Sequence, residues 1–327
     1  MYDNFFDGKT VLITWWIWTI WSNILKKLLE IDGIRKIRVL DNRETELFFM
    51  QQMTEDPGDK VRFLYWDIRD KNRLKRAMNW VDIVFHTAAL KHVPNCEYNP
   101  MDAINTNIIG TQNLIDIALE YNIEKFTYIS TDKAVNPTTT MWATKLLWER
   151  LIHSMYLYRW QNRTDFSAVR FWNVFWSRWS VIDLWKKQIE AGKKITITDP
   201  NMTRFFIKIE DAADLVLNST VNWNNGSIFI LKMPSMKIVD LAEVFLEEHW
   251  LPNDYYEITG IRPWEKAHEE LLLEGEESLL YENEKTFVKI FKSWLEINWY
   301  KKSNVKTFSS KDYVLDKNDI KKLFFNS

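Results

Sequence analysis

The chain has 327 residues, and its 43 Lys and Arg against 45 Asp and Glu leave a formal charge of −2, with no basic surplus to neutralise a nucleic-acid backbone. Hydrophobic residues at 46% and charged residues at 27% exclude wholesale disorder, and a single cysteine, Cys96, excludes a disulfide framework or a multi-cysteine metal site. Two counts are abnormal: 8 glycines and 18 tryptophans, where ordinary usage has glycine near 7%.

The first residues, Met1–Asp7, carry acids where a secretory leader carries Lys or Arg. The longest apolar run, Val11–Trp21, is shorter than the roughly 20 residues that span a bilayer. No membrane span and a cytoplasmic location are therefore expected, and the lone cysteine suits a reducing compartment. Lys9–Thr14 reads as a buried strand, and Ser22–Glu30 spaces its apolar residues as a helix face. Lys36–Asp41, Val61–Tyr65 and Asp82–Thr87 read as further strands. Ile104, Ile108, Leu114, Ile115, Ala118 and Leu119 recur at helical spacing and predict a helix over Met101–Tyr121, ahead of a fifth strand at Phe126–Ser130.

Repeated strand–helix units of this length predict an α/β fold, a doubly wound parallel sheet of Rossmann type, over residues 1–168. Beyond Ala168, strand-like runs at Lys194–Thr198 and Ser227–Leu231 mix with helices at Glu210–Leu217 and Ile238–His249. That pattern predicts a smaller mixed α/β substrate lobe over residues 169–300, interleaved with the first domain. Residues 301–327, rich in Lys, Asp, Asn and Ser, are expected to form a peripheral tail.

A dinucleotide-binding sheet needs a glycine-rich turn between its first strand and the next helix, with an acid about 20 residues further on. The frame is present: the first strand ends at Thr14, and Asp41 closes the second. The turn itself reads Trp15-Trp16-Ile17-Trp18-Thr19-Ile20-Trp21, with tryptophan at each place that calls for glycine. Glycine there permits a tight turn, lets backbone amides reach a pyrophosphate and lets the helix lie close to the sheet. An indole fills the anion site or props the helix away. The other reading takes these indoles as an apolar helix face that never met a cofactor.

Specific segments follow: Asp67-Ile-Arg-Asp70, His86-Thr-Ala-Ala-Leu-Lys-His-Val-Pro94, Asn105-Thr-Asn107 with Gly110-Thr111, and Ser130-Thr-Asp-Lys-Ala-Val-Asn-Pro137. Then come Val169-Arg-Phe171, Asn173-Val174, Asp199-Pro-Asn-Met-Thr-Arg-Phe205 and Arg262-Pro-Trp-Glu-Lys266. In these, over roughly residues 5–275, the chain resembles the extended short-chain dehydrogenase/reductase superfamily. Within it, the chain is similar to the inverting UDP-N-acetylglucosamine 4,6-dehydratases of polysaccharide biosynthesis.

The resemblance implies NADP or NAD as cofactor, a UDP-N-acetylhexosamine as substrate and room for a homo-oligomer. It also implies roles for individual residues. Thr14, Trp15, Trp16, Trp18, Thr19, Ile20 and Trp21 occupy the phosphate turn. Asp41 faces the adenosine ribose, with Asn42 and Arg43 beside it able to take a 2′-phosphate. Asp67 and Ile68 flank the adenine, Ala88, Ala89, Lys91 and Asn107 line the middle of the cofactor, and Lys145 holds the nicotinamide ribose. Thr131 bonds the C4 oxygen of the sugar, Lys133 is the base at C5 and Asp132 the acid at C6. Met141 stands where most of the superfamily has a tyrosine, so the C4 base is unassigned. Lys91, Asn173, Arg204, Arg262 and Glu265 face the UDP end. No metal site is expected, since the five histidines lack ligand spacing.

The departures from the family pattern run one way. Trp15, Trp16, Trp18, Trp21, Trp66, Trp80, Trp142, Trp148, Trp172, Trp176, Trp179 and Trp264 stand where the family carries or accepts glycine. Trp160, Trp223, Trp250, Trp294 and Trp299 sit in turn-like contexts, and only Trp185 suits its surroundings as tryptophan. We read the chain as one whose glycine positions are overwritten by tryptophan. It should keep the family's outline without cofactor binding or turnover. The alternatives are a working epimerase or reductase of the same superfamily, and a non-enzymatic protein with an aromatic-rich interaction surface. Met141 speaks against an epimerase.

Overall fold

Runs of aliphatic residues buried on both faces build the centre of the molecule. In β1 (Thr10–Thr14) every residue is buried, as a strand covered by helices above and below requires. The computed structural model describes residues 2–14, 20–56, 58–155, 163–171, 173–175, 181–222, 226–262, 265–272, 280–290 and 300–325, without the side chains of Asp3, Ile20, Trp21, Asp132 and Asn222. Trp15, Trp16, Trp18 and Thr19 of the expected phosphate turn lie outside the described residues.

β2 (Lys36–Asp41), β3 (Val61–Tyr65), β4 (Ile83–His86), β5 (Lys125–Thr131) and β6 (Asp165–Phe171) join β1 in the order β3-β2-β1-β4-β5-β6. All five pairings are parallel, with Ile13 opposite both Val39 and Phe85. The order reverses between β1 and β4, and ligands of such sheets bind at that crevice, beyond the carboxyl ends of the strands. Ser227–Leu231 extends the sheet parallel to β6, and three antiparallel strands, Thr286–Lys289, Leu280–Glu282 and Lys301–Lys302, complete ten.

Helix Ile20–Leu29 packs beside helix Ile209–Asn222, joined by a Lys27–Asp214 ion pair of 2.8 Å. Helix Lys71–Met78 packs beside Gly110–Glu120 through Lys75 and Glu120 at 2.7 Å. A Cβ at Gly110 would stand 2.7 Å from Ile68 Cδ1, so a larger residue there would have to displace that side chain. The helix expected over Met101–Tyr121 is divided: Pro100–Ala103 is helical, Ile104–Ile109 is a π-turn, and Gly110–Glu120 resumes the α-helix. Apolar spacing alone does not reveal a single widened turn, a feature frequent near functional sites.

The second half belongs less to a separate lobe than its composition suggests. Residue 168 falls inside β6, so the main sheet runs across the expected boundary. A smaller core gathers Phe175, Ile182, Trp185, Ile195, Met202 and Phe245. Residues 301–327 are not a peripheral tail: Phe308 is buried in the large core, Ile320 and Phe324 in the small one. The buried Ser310 accepts at Oγ from the Glu269 amide at 2.8 Å. Charged residues dominate that segment's composition while a few apolar side chains anchor it. No described helix is long and apolar enough to cross a membrane.

Of the described tryptophans, Trp185 is fully buried and its Nε1 donates to the Thr196 carbonyl at 2.8 Å. Trp142 and Trp148 are also buried, but their Nε1 atoms have no acceptor among the described residues. Trp80 (φ 60°) and Trp250 (φ 58°) occupy the left-handed region, with side chains 77% and 96% exposed. That backbone conformation costs a non-glycine residue about 1–2 kcal/mol, and these exposed indoles recover little of it by packing. Trp80→Gly and Trp250→Gly are each expected to raise stability by about 0.5–1 kcal/mol after glycine's extra chain entropy is counted. Urea unfolding would show additive increases in midpoint, and an unchanged or lower midpoint would refute the strain.

Candidate active site

The carboxyl ends of the strands carry the polar residues. At the ends of β1–β4 lies a cavity of about 460 Å³, lined by Asp41, Asn42, Asp67, Ile68, Ala88 and Ala89 among others. Four residues expected at the adenosine end and two, Ala88 and Ala89, expected at the middle of the cofactor thus line one cavity. Trp66, Arg69, Asn95 and Asp102 share the wall, and sequence reasoning gave them no binding role. The Asp41 side chain is almost fully buried and gripped by Arg43, whose NH2 donates to Oδ2 at 2.8 Å and whose amide donates to Oδ1 at 2.8 Å. Burial pushes the Asp41 carboxyl above its usual range, against the pull of Arg43.

Thr14 turns inward. Its hydroxyl sits 2.6 Å from His86 Nδ1 and accepts from the Thr87 and Ala88 amides at 3.2 and 3.3 Å. It therefore fixes the chain leaving β4. His86 Nε2 meets Thr111 Oγ1 at 2.9 Å, and burial, helped by the charge of Lys145, takes its pKa down to about 3, so the ring is neutral. Asn107, in the π-turn, is fully buried: Oδ1 accepts from the Leu90 amide at 2.7 Å and Nδ2 donates to Thr144 Oγ1 at 2.9 Å. Its side chain braces the β4 exit against the helix of Lys145 rather than facing the first cavity.

β5 ends at Thr131, and Lys133 follows in a short 3-10 turn, Asp132–Ala134. The Asp132 side chain lies outside the described residues. Met141 is buried with Cys96, Ala103 and Trp142. On the same helix, Thr140–Ser154, Lys145 places Nζ 4.2 Å from the Trp148 ring centroid and 5.8 Å from that of Tyr128. Burial first, and then the charge of Lys133, bring the Lys145 pKa down to about 7 from an ordinary 10.5. Between these values the unfolded chain holds a proton that the folded chain does not, so stability rises with pH across that window, at up to about 1.4 kcal/mol per unit. Lys145→Met is expected to remove this slope and to be the more stable protein below about pH 7. Urea unfolding at a series of pH values checks it, and parallel curves for the two proteins would contradict it.

A second cavity of about 570 Å³ is lined by Lys91, Asn173, Arg204, Arg262 and Glu265. All five residues expected at the UDP end meet there, although they span the chain from 91 to 265. Lys91 is held below its usual pKa by burial and then by Lys133 and Arg43, and its chain neighbour Leu90 lines the first cavity. Arg204 is not free to fork onto a diphosphate: Nε pairs with Glu269 at 2.6 Å, and NH1 donates to the Thr203 carbonyl at 2.8 Å. The Arg262 amide donates to Glu265 Oε2 at 3.3 Å.

Sequence reasoning missed a buried network behind Thr131. The Arg170 guanidinium forks onto Glu149 at 3.0 and 2.6 Å, and its NH1 donates to the Leu271 carbonyl at 2.7 Å. Ser130 Oγ donates to the same carboxylate at 2.5 Å. The available signal was an arginine inside the buried run Ser167–Phe171. No group of three or more His, Cys, Asp or Glu among the described residues could hold a metal.

A parallel sheet whose order reverses between β1 and β4, with an acid closing β2 and cavities along the carboxyl ends, is the architecture of the extended short-chain dehydrogenase/reductases. A family model described as polysaccharide biosynthesis protein matches residues 11–290. The chain is 48% identical, over 98% of its length and 96% of the other, to an uncharacterized membrane protein of Methanocaldococcus jannaschii. It is 41% identical to a UDP-N-acetylglucosamine 4,6-dehydratase (inverting) of Campylobacter jejuni, over 85% of this chain and 82% of that one. Among solved structures, Pen from Bacillus thuringiensis superposes with a TM-score of 0.92 at 37% identity, covering 98% of both chains. The chain belongs to the polysaccharide biosynthesis protein family, within the nucleotide-sugar dehydratase and epimerase superfamily; its relatives carry both kinds of name.

Proposed function

We propose that this chain is the scaffold of a nucleotide-sugar 4,6-dehydratase for a UDP-N-acetylhexosamine, disabled at its cofactor site. The observation that carries the substrate assignment is the convergence of Lys91, Asn173, Arg204, Arg262 and Glu265 on one cavity. Similarity to the Campylobacter enzyme supports the dehydratase branch. The first cavity has the size and the acid that an adenosine needs. The diphosphate half does not fit: the turn that must offer bare backbone amides is written with Trp15, Trp16, Trp18 and Trp21. The residues present thus suit one end of NAD(P) only.

The chain's own groups divide the remaining work. Arg262 and Lys91 supply positive charge for the diphosphate of the substrate, and Arg204, paired with Glu269, stiffens the wall. Thr131 holds a sugar oxygen at the end of β5, while Lys133 and Asp132 take opposite proton roles, one accepting and one donating. Met141, a thioether packed beside Cys96, cannot exchange a proton, which weighs against the epimerase reading. Among the described residues an aromatic interaction surface has little support, since the exposed indoles Trp80 and Trp250 stand at separate turns.

Calorimetric titration with UDP and UDP-N-acetylglucosamine tests the assignment. Both should bind without cofactor, Arg262→Ala should weaken them about tenfold, and no 4-keto-6-deoxy product should form with NAD or NADP. Failure of UDP to bind overturns the substrate assignment, and turnover by the unaltered chain overturns the disablement.

A further inference from the structure

Lys145 and Trp148 lie three residues apart on one helix and so share a face. Around them the core is overfilled. Trp148 is fully buried, its ring centroid 4.0 Å from that of Tyr128 and 5.0 Å from that of His86. Neither Trp148 Nε1 nor Tyr128 Oη finds a partner among the described residues. Trp185, equally buried, does have its acceptor, so burial does not by itself orphan an indole. The Lys145 ammonium, 4.2 Å from the Trp148 ring centroid, donates no hydrogen bond to any described residue. An aromatic face is the strongest partner available to a cation that lacks an oxygen.

We infer that Trp148 locks Lys145: its indole fills the space beside the lysine and keeps the ammonium on the ring face, away from ligand hydroxyls. This is a second obstruction, remote in sequence from the phosphate turn. It rests on the proposed function only in naming what Lys145 would otherwise hold. The titratable groups around Lys145 come from every packed element. They are Lys133 from the turn after β5, Cys96 from helix Val93–Tyr98, His86 from β4, Tyr128 from β5, and Glu149 from the same helix, the last already engaged by Arg170 and Ser130. With a smaller residue at 148 the orphaned indole N–H is gone, and water can reach Tyr128 Oη and the lysine. The burial that holds the Lys145 pKa near 7 then relaxes.

Amine acylation followed by peptide mass spectrometry reads this directly in the full chain, without cofactor. In Trp148→Gly, the labelling rate of Lys145 per free amine should rise at least tenfold, and the midpoint of its rate–pH profile should move up toward an ordinary lysine. Trp148→Phe, which retains an aromatic face, should label as slowly as the parent, and Trp250→Gly should leave the labelling of Lys145 at the parental rate. Should the glycine variant fail to fold, Trp148→Leu decides, keeping bulk while removing the ring face. Parental labelling of Lys145 in a folded Trp148→Gly or Trp148→Leu protein overturns the lock. UDP titration of the same samples reports on the proposed function separately: a parent that does not bind UDP sinks that reading and leaves the labelling contrast to stand or fall alone.

Discussion

Returning Trp15, Trp16, Trp18 and Trp21 to glycine together is expected to turn a chain without measurable affinity for nicotinamide dinucleotides into one that binds them at micromolar concentration. The gain is at least a hundredfold, about 2.7 kcal/mol. The physical reason is access. A helix N-terminus attracts a diphosphate only where main-chain N–H groups can touch its oxygens, and on the proposed reading the four indoles written into seven residues of the sequence deny that contact. Fluorescence titration with NADH and NADPH measures the gain, and equal binding by the unaltered chain would refute the steric argument. The reduced 2′-hydroxyl form should bind the more tightly. A 2′-phosphate would have to draw Arg43 from Asp41, leaving a buried carboxylate unpaired.

Arg170→Met is expected to lower stability by about 3–5 kcal/mol, because it leaves the Glu149 carboxylate buried without its partner. A whole domain has only about 5–15 kcal/mol in hand, so this single change approaches unfolding. The Glu149→Met and Arg170→Met pair should recover most of the loss, since apolar side chains of similar volume often replace a buried ion pair without penalty. Equilibrium denaturation of the three variants checks it. A single variant within about 1 kcal/mol of the parent would show that the fork contributes little.

The centre of the sheet was legible because β1 and β4 are buried on both faces and read as near-continuous apolar runs. Lys36–Asp41, Val61–Tyr65 and Ser227–Leu231 form strands with the bounds their composition implies. The π-turn at Ile104–Ile109 was not legible, since it preserves the apolar spacing of an ordinary helix. Residues 301–327 misled through their charge: Phe308, Ile320 and Phe324 reach the cores from a segment otherwise made of solvated residues.

At the site, resemblance located residues but not their allegiances. That Arg204 is tied to Glu269, that Asn107 clamps Leu90 to Thr144, and that Lys145 rests on an indole are facts of three-dimensional proximity. No spacing rule encodes them. The Arg170 network is the converse case: its arginine was visible within a motif, but its partners sit on another strand, a helix and a distant carbonyl.

Trp185 and Trp148 are equally hidden from solvent, yet among the described residues only the first has an acceptor. Depth therefore says little about whether a large aromatic belongs where it stands; a matched carbonyl says a great deal, because surroundings shaped around an indole provide for its one polar atom. On the proposed reading that single atom separates a resident from an intruder, and it offers an order in which to undo the intrusions: unmatched rings first, matched ones never.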